Sequence, residues 1–170
     1  VLSGMDPQLG RYNIVPTGAS DAFFFPYTET ERREEGVIQV LTELLFSAEP
    51  GADALGYLDN PELPPIFAMA RVDKVKNLSG LLEIFGKNPK LRDVSNLIIV
   101  SSTIDPELSQ DQEEIEEITR MHELIDFYQL QGHFRWQGVR LNTIEKGEIY
   151  RIMADRHGVF AQPALMETFG

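Results

Sequence analysis

The sequence predicts an α/β domain built on a doubly wound parallel sheet of the Rossmann-like kind. Runs of strand length, Ile66 to Ala70, Leu97 to Val100, His133 to Val139 and Val159 to Pro163, alternate with stretches of helical length, as repeated β-α units do. The first two runs hold too few polar residues for one-sided strands and suit a sheet covered on both faces. Charged residues also gather where such a sheet holds its ligands, at the carboxyl ends of strands: Arg71, Lys76, Arg140, Lys146 and Glu167 each follow a strand.

In chain order, Val1 to Tyr12 is Gly-rich and irregular and reads as a linker from a preceding domain, which leaves residues 13–170 as the domain proper. Asn13 to Val15 starts the first strand, and Pro16-Thr17-Gly18-Ala19 makes a turn. Phe23, Phe24 and Phe25, followed by Pro26, read as an apolar plug against the sheet. Thr28 to Arg33 begins a charged helical stretch that Val37, Leu41, Leu44 and Leu45 continue across Gly36. Ser47 to Pro65, rich in Pro, Gly, Ala and Asp, reads as an exposed excursion.

The central unit is Ile66 to Asn88. A strand ends in a turn carrying Arg71, Lys74 and Lys76; Asn77 is a candidate N-cap. Leu78, Leu81, Leu82 and Phe85 then fall at i, i+3, i+4 and i+7, one apolar helix face that Gly86 and Pro89 close. Cations delivered to a helix N-terminus favour a phosphate, because free backbone N–H groups and the helix dipole act with the side chains. On charge alone a solvated basic loop is the commoner case and stays open, since neither GxxxxGK[ST] nor GxGxxG occurs.

Leu97 to Val100 is the next strand, and Ser101-Ser102-Thr103 follows it. An acidic helix is expected from about Ser109 to Leu130, with Ile115, Ile118, His122, Ile125 and Gln129 near one face. Its Glu113, Glu114, Glu116 and Glu117 complement the dipole of a first turn and read as structural, not as a metal site. His133 to Val139 is a strand with Trp136 partly buried; a turn from Gln137 to Glu145 leads into a helix from Lys146 to Arg156. Val159 to Pro163 is the last strand, and Ala164 to Gly170 the turn after it.

Composition narrows the function. A chain of 170 residues, 42% hydrophobic, can bury one core. The absence of cysteine excludes thiolate chemistry and a disulfide framework and leads to the expectation of a cytoplasmic protein. No signal peptide or membrane span is read. A net charge of -12 repels nucleic acid and anionic membranes, so cations in one turn suit a small phosphorylated ligand. The three histidines, His122, His133 and His157, lack the spacing of a triad or metal site. Val1 is not an initiator methionine and nothing covers the strand and turn that Gly170 ends, so a fragment of a longer enzyme is expected.

The run FAMARVDKVKNLSGLLEIFGKNPKLRDVSNLIIV resembles the nucleotide-binding half of the sucrose synthase family, retaining glycosyltransferases of the two-Rossmann-domain (GT-B) kind. YNIVPTGASDAFFFPYTETERR, GHFRWQGVRLNTIEKGEIYRIMADRHGVFAQPA and METFG agree in order and spacing. Sucrose-phosphate synthases share the Arg and Lys of the turn but not the GKNPKLRDVSNL run.

The resemblance implies the C-terminal half of a GT-B enzyme, truncated, whose N-terminal domain supplies the acceptor side in cis, and a full-length protein that is a homo-oligomer. It implies a reversible exchange of NDP-glucose and fructose for sucrose and NDP. By position, Arg71 and Lys76 match the residues that hold the donor diphosphate. Lys74 also falls where the family has a cation but reads as a solvated surface residue. Glu167 matches the first acid of ExFGxxxxE, a catalytic-site residue on the hydroxyls of the transferred sugar, with the backbone N–H groups of Phe169 and Gly170 beside it. No metal or other cofactor is implied.

Arg140 and Lys146 stand where plant members have Gln and Asn near the base, and two cations cannot offer an amide's paired donor and acceptor. This tells against a preference for uridine; bacterial and cyanobacterial members often lack these amides and accept the ADP sugar, so the resemblance implies ADP-glucose as the first expected donor and UDP-glucose as the second. Ser101 to Thr103 replaces a Gly-rich turn of plant members, so a different loop path is expected. Another retaining GT-B transferase, sucrose-phosphate synthase among them, and a non-catalytic nucleotide-binding domain stand as alternatives. The isolated fragment is expected to bind nucleotide weakly and to turn over nothing.

Overall fold

The structure is a computed structural model and describes residues 21–49, 51 and 53–166. The residues expected to form the first strand, Asn13 to Val15, the turn Pro16 to Ala19, and Glu167, Phe169 and Gly170 lie outside them. Among the described residues five strands make one sheet in the order β1-β4-β3-β2-β5: β1 is Ala54–Leu55, β2 Pro65–Met69, β3 Asn96–Ser101, β4 Phe134–Gly138 and β5 Val159–Phe160. β1 runs antiparallel to β4, and the other pairings of these five strands are parallel.

Among the described residues the α-helices are α1 (Glu35–Phe46), α2 (Leu78–Lys87), α3 (Pro89–Arg92), α4 (Gln112–Phe127) and α5 (Thr143–Asp155). The parallel strands step outward from β2 to β3 to β4, and β5 returns to the far side of β2. This is the doubly wound arrangement, with its reversal between β2 and β5.

All six residues of β3 are buried, and their alternation divides the interior in two. Leu97 and Ile99 join Leu78, Leu82 and Phe85 of α2 and Ile118, Met121 and Ile125 of α4 on one face. Ile98 and Val100 join Leu41 and Leu45 of α1 and Ile149, Ile152 and Met153 of α5 on the other. Burying each such side chain contributes about 1.5–3 kcal/mol. β2 and β3 are thus covered on both faces, which explains why they read as continuous apolar runs.

On the α1/α5 face, the wholly buried Arg135 of β4 donates from Nη1 to Leu44 O at 3.1 Å and from Nη2 to Ser47 O at 2.7 Å. It meets carbonyls that the end of α1 leaves unpaired, and a cation there complements the helix dipole. Desolvation lowers its pKa, but an arginine keeps its charge.

Glu148 of α5 is equally buried. It accepts from Arg151 Nη2 at 2.8 Å, Arg33 Nε at 3.1 Å and the Glu34 backbone N–H at 3.3 Å. Burial favours its neutral form, but these donors outweigh that and hold the carboxyl below its ordinary value.

Several expectations change. The helix expected to continue from Thr28 to Arg33 across Gly36 is interrupted: a 3-10 turn over Thr30–Arg32 ends in extended backbone at Arg33 and Glu34, because both residues bond to Glu148. The aromatic plug packs on α5 instead of the sheet, with the Phe25 ring between the guanidinium groups of Arg32 and Arg151 at 4.1 and 3.8 Å from its centroid. Residues 47–65 are not wholly an exposed excursion, since they supply β1 and the buried Leu58.

Trp136 is fully buried, its indole N–H donating to Ser101 Oγ at 2.8 Å. Helix α4 stops at Phe127; Gln129 beyond it is exposed with a φ of 51°, and Met121 takes the place expected of it on the buried face. Helix α5 starts at Thr143, three residues ahead of Lys146, because Asn142 and Glu145 form a capping box. Helix α2 runs through Gly86 to Lys87, and β5 is shorter than its apolar run.

Replacing Glu148 by Gln leaves Arg33 and Arg151 without their buried countercharge, and urea unfolding at pH 7 is expected to show a loss of about 3 kcal/mol. A carboxyl with a depressed folded pKa contributes stability that is complete above its unfolded pKa, about 4.3, and is lost as pH falls through the folded value. The difference between wild type and Glu148→Gln should therefore shrink below about pH 4; a difference independent of pH would contradict this role.

Candidate functional site

Register brings the ends of the parallel strands level. Met69 pairs with Val100, Val100 with Gln137, and Phe67 with Phe160. The ladder continues one step outward, with Ala70 N–H donating to Val100 O at 3.2 Å, Val139 N–H to Ser101 O at 2.7 Å and Ala161 N–H to Phe67 O at 2.7 Å. Arg71, Ser102, Arg140 and the loop 161–166 consequently leave the sheet at one rim.

A pocket of about 570 Å³ opens there, walled by Met69, Val100, Val139 and Leu141 and edged by Arg71, Arg140 and Lys146. Three of the residues singled out in the sequence meet in it. Arg71 and Arg140 also border a larger neighbouring cleft of about 930 Å³, but Asp53, Asp73, Asp105, Asp111 and Glu114 line that one. The smaller pocket, cationic with apolar walls, suits a planar group carrying an anion; the acidic cleft repels one.

Asp73 shapes the turn after β2. Its Oδ1 accepts the Lys76 N–H at 2.7 Å, its backbone carbonyl accepts the Asn77 N–H at 3.2 Å, and its Oδ2 lies 3.2 Å from Arg71 Nη2. The Arg71 side chain is 81% exposed, so this is a surface pair with little energetic weight. Lys76 closes the turn at the head of α2.

Lys74 is held on the outside, its Nζ 3.0 Å from Glu116 Oε2 and its N–H donating to Glu113 Oε1 at 3.0 Å. The hydrogen bond to Glu116 raises the pKa of Lys74 and lowers that of its partner. Asn77 is no side-chain cap: it has a left-handed backbone, φ 55°, and its amide reaches out of the helix.

The acidic start of α4 has structural partners. Asp111 caps the Glu113 N–H at 2.9 Å, Glu114 accepts from Ser109 Oγ at 2.5 Å, and the buried Glu117 accepts from Ser79 Oγ at 2.7 Å. Among the described residues no three His, Cys, Asp or Glu side chains converge as a metal site would require. His122 packs on Trp136 with its Nε2 2.8 Å from Ile104 O, and His157 ends α5 with φ 55°. Asp73 and Asn77 were not singled out as site residues, although an Asp three residues before Lys76 is a recognisable turn signal. Glu167, Phe169 and Gly170, also singled out, lie outside the described residues.

No protein-family model matches the chain. Individual proteins do. Over 170 residues, all of this chain, it is 46% identical to a sucrose synthase of Acidithiobacillus caldus, 47% to sucrose synthase 2 of Arabidopsis thaliana and 45% to a sucrose synthase of Thermosynechococcus vestitus. The chain is a sucrose synthase homologue. It spans 21% of the length of each of these sucrose synthases. Identity to the plant and bacterial sucrose synthases is nearly equal, so overall likeness does not separate the two groups.

Asp73→Asn keeps an acceptor for the Lys76 N–H and removes the charge beside Arg71. Titration with inorganic pyrophosphate should show affinity rising roughly twofold to fivefold, the size of an exposed ion pair, with the melting temperature unchanged. Unaltered affinity would mean that the Arg71–Asp73 pair does not compete with an anion.

Proposed function

We propose that this chain is the nucleotide-sugar domain of a sucrose synthase, a retaining glucosyltransferase that interconverts NDP-glucose and fructose with sucrose and NDP. The observation that carries this reading is the gathering of Arg71, Arg140 and Lys146 around one apolar-walled pocket at the carboxyl ends of β2, β3 and β4, in a chain homologous to sucrose synthases from end to end. A doubly wound sheet binds nucleotides at this rim.

In this reading Arg71 and Lys76 hold the diphosphate at the head of α2, where the helix N-terminus adds its dipole. Breaking the bond from the anomeric carbon leaves negative charge on the nucleoside diphosphate, and fixed cations stabilise that charge without a metal. Glu167 accepts from hydroxyls of the transferred glucose, and the N–H groups of Phe169 and Gly170 assist there. The base lies between Met69, Val100, Val139 and Leu141. Arg140 offers it a flat guanidinium to stack on, and a purine presents more face than a pyrimidine, so ADP is the preferred nucleotide and UDP the second. Fructose approaches from the N-terminal domain of the full-length protein.

Calorimetric titration at one low ionic strength should find ADP tighter than UDP. Arg71→Ala and Lys76→Ala should each weaken ADP roughly tenfold or more, the size of a hydrogen bond to a charged group. Unchanged affinity in both variants would overturn the diphosphate assignment, and tighter UDP binding would overturn the base assignment. The chain by itself is expected to cleave no sucrose; measurable release of fructose would show that it holds a complete active site.

A further inference from the structure

Asn77 makes a contact that helix formation does not require. Its Nδ2 donates to Pro163 O at 3.1 Å, across to the loop that leaves β5. Two residues on, the Leu165 N–H donates back to Val75 O at 2.8 Å. The turn after β2 and the loop after β5 are thus joined by two hydrogen bonds across the point where the strand order reverses. The amide reaches Pro163 only because Asn77 sits at φ 55°, ψ 37°, a conformation that Asn tolerates better than most residues with a side chain.

Position 80 points to the same contact. Gly80 lies in the first turn of α2, where glycine costs about 1 kcal/mol relative to alanine. A Cβ built there would collide with Asn77 Oδ1 and approach Nδ2 to 2.7 Å. The glycine keeps open the space that the amide occupies.

We infer that Asn77 is a positioning residue that couples the cationic turn to the loop after β5, so that an anion bound at the turn orders the segment running towards Glu167. This rests on the reading of the turn as a diphosphate site. The coupling belongs to the side-chain amide and not to the left-handed backbone, which glycine would adopt equally well. It also sets position 80 against its own helix: alanine improves helix propensity and displaces the amide.

Hydrogen exchange of the full chain, with and without saturating ADP, tests this in wild type, Asn77→Gly and Gly80→Ala. In wild type ADP should slow exchange in both 71–77 and 161–166. In each variant ADP should still protect 71–77 but no longer 161–166, while the urea midpoint of Gly80→Ala stays at or above that of wild type. Equal protection of 161–166 by ADP in all three proteins would overturn the inference.

If ADP leaves 71–77 unprotected even in wild type, the nucleotide reading fails by itself. The unliganded proteins then decide: exchange at Leu165 roughly fivefold to tenfold faster in both variants, as loss of one hydrogen bond implies, with α2 unchanged, supports the link, and equal rates refute it.

Discussion

The candidate site depends on the parallel register of β2, β3 and β4. With Met69, Val100 and Gln137 side by side, three loops leave the sheet at one height and their charged residues share a rim. A slip of one residue would reverse every side chain in the moving strand, sending Ile98 and Val100 to the α2/α4 face and Leu97 and Ile99 to the other. Burial of β3 on both faces makes that slip costly, so the packing that stabilises the fold also sets the spacing of the loops.

The arginines divide into two kinds. Arg135, Arg151 and Arg33 are buried and spend their donors on carbonyls and carboxylates of distant segments, holding α1 and residues 23–34 against α5 and the sheet. Arg71, by contrast, stands 81% exposed beside one carboxylate. In a chain of net charge -12, a cation that is neither buried nor strongly paired, set at a strand end, is available to an anionic ligand. The acidic residues of α4 engage Ser79, Ser109 and Lys74, and Lys74 is thereby withdrawn from any such role.

β2 and β3 were legible because strands buried on both faces read as apolar runs, and α2 because its face repeats at helical spacing. Arg71, Arg140 and Lys146 were legible as a group because each follows a strand end, whichever helices lie between. The break at Arg33 and Glu34 was not, since its cause, Glu148, lies 115 residues beyond Arg33. A two-residue antiparallel edge such as β1 carries no periodicity to read. Asn77 has the composition of an N-cap, and only the approach of Pro163 shows that its amide is used elsewhere. Arg135 looks like a surface residue until α1 places its last carbonyls over the strand.

Backbone amide shifts of the ¹⁵N-labelled chain during titration with ADP test the central claim most directly. The largest changes are expected in 71–77 and at Ser101, Ser102 and Val139 to Lys146, the rim shared by the three strand ends. Changes centred on Asp105, Asp111 and Glu114 would place the ligand in the acidic cleft and contradict it.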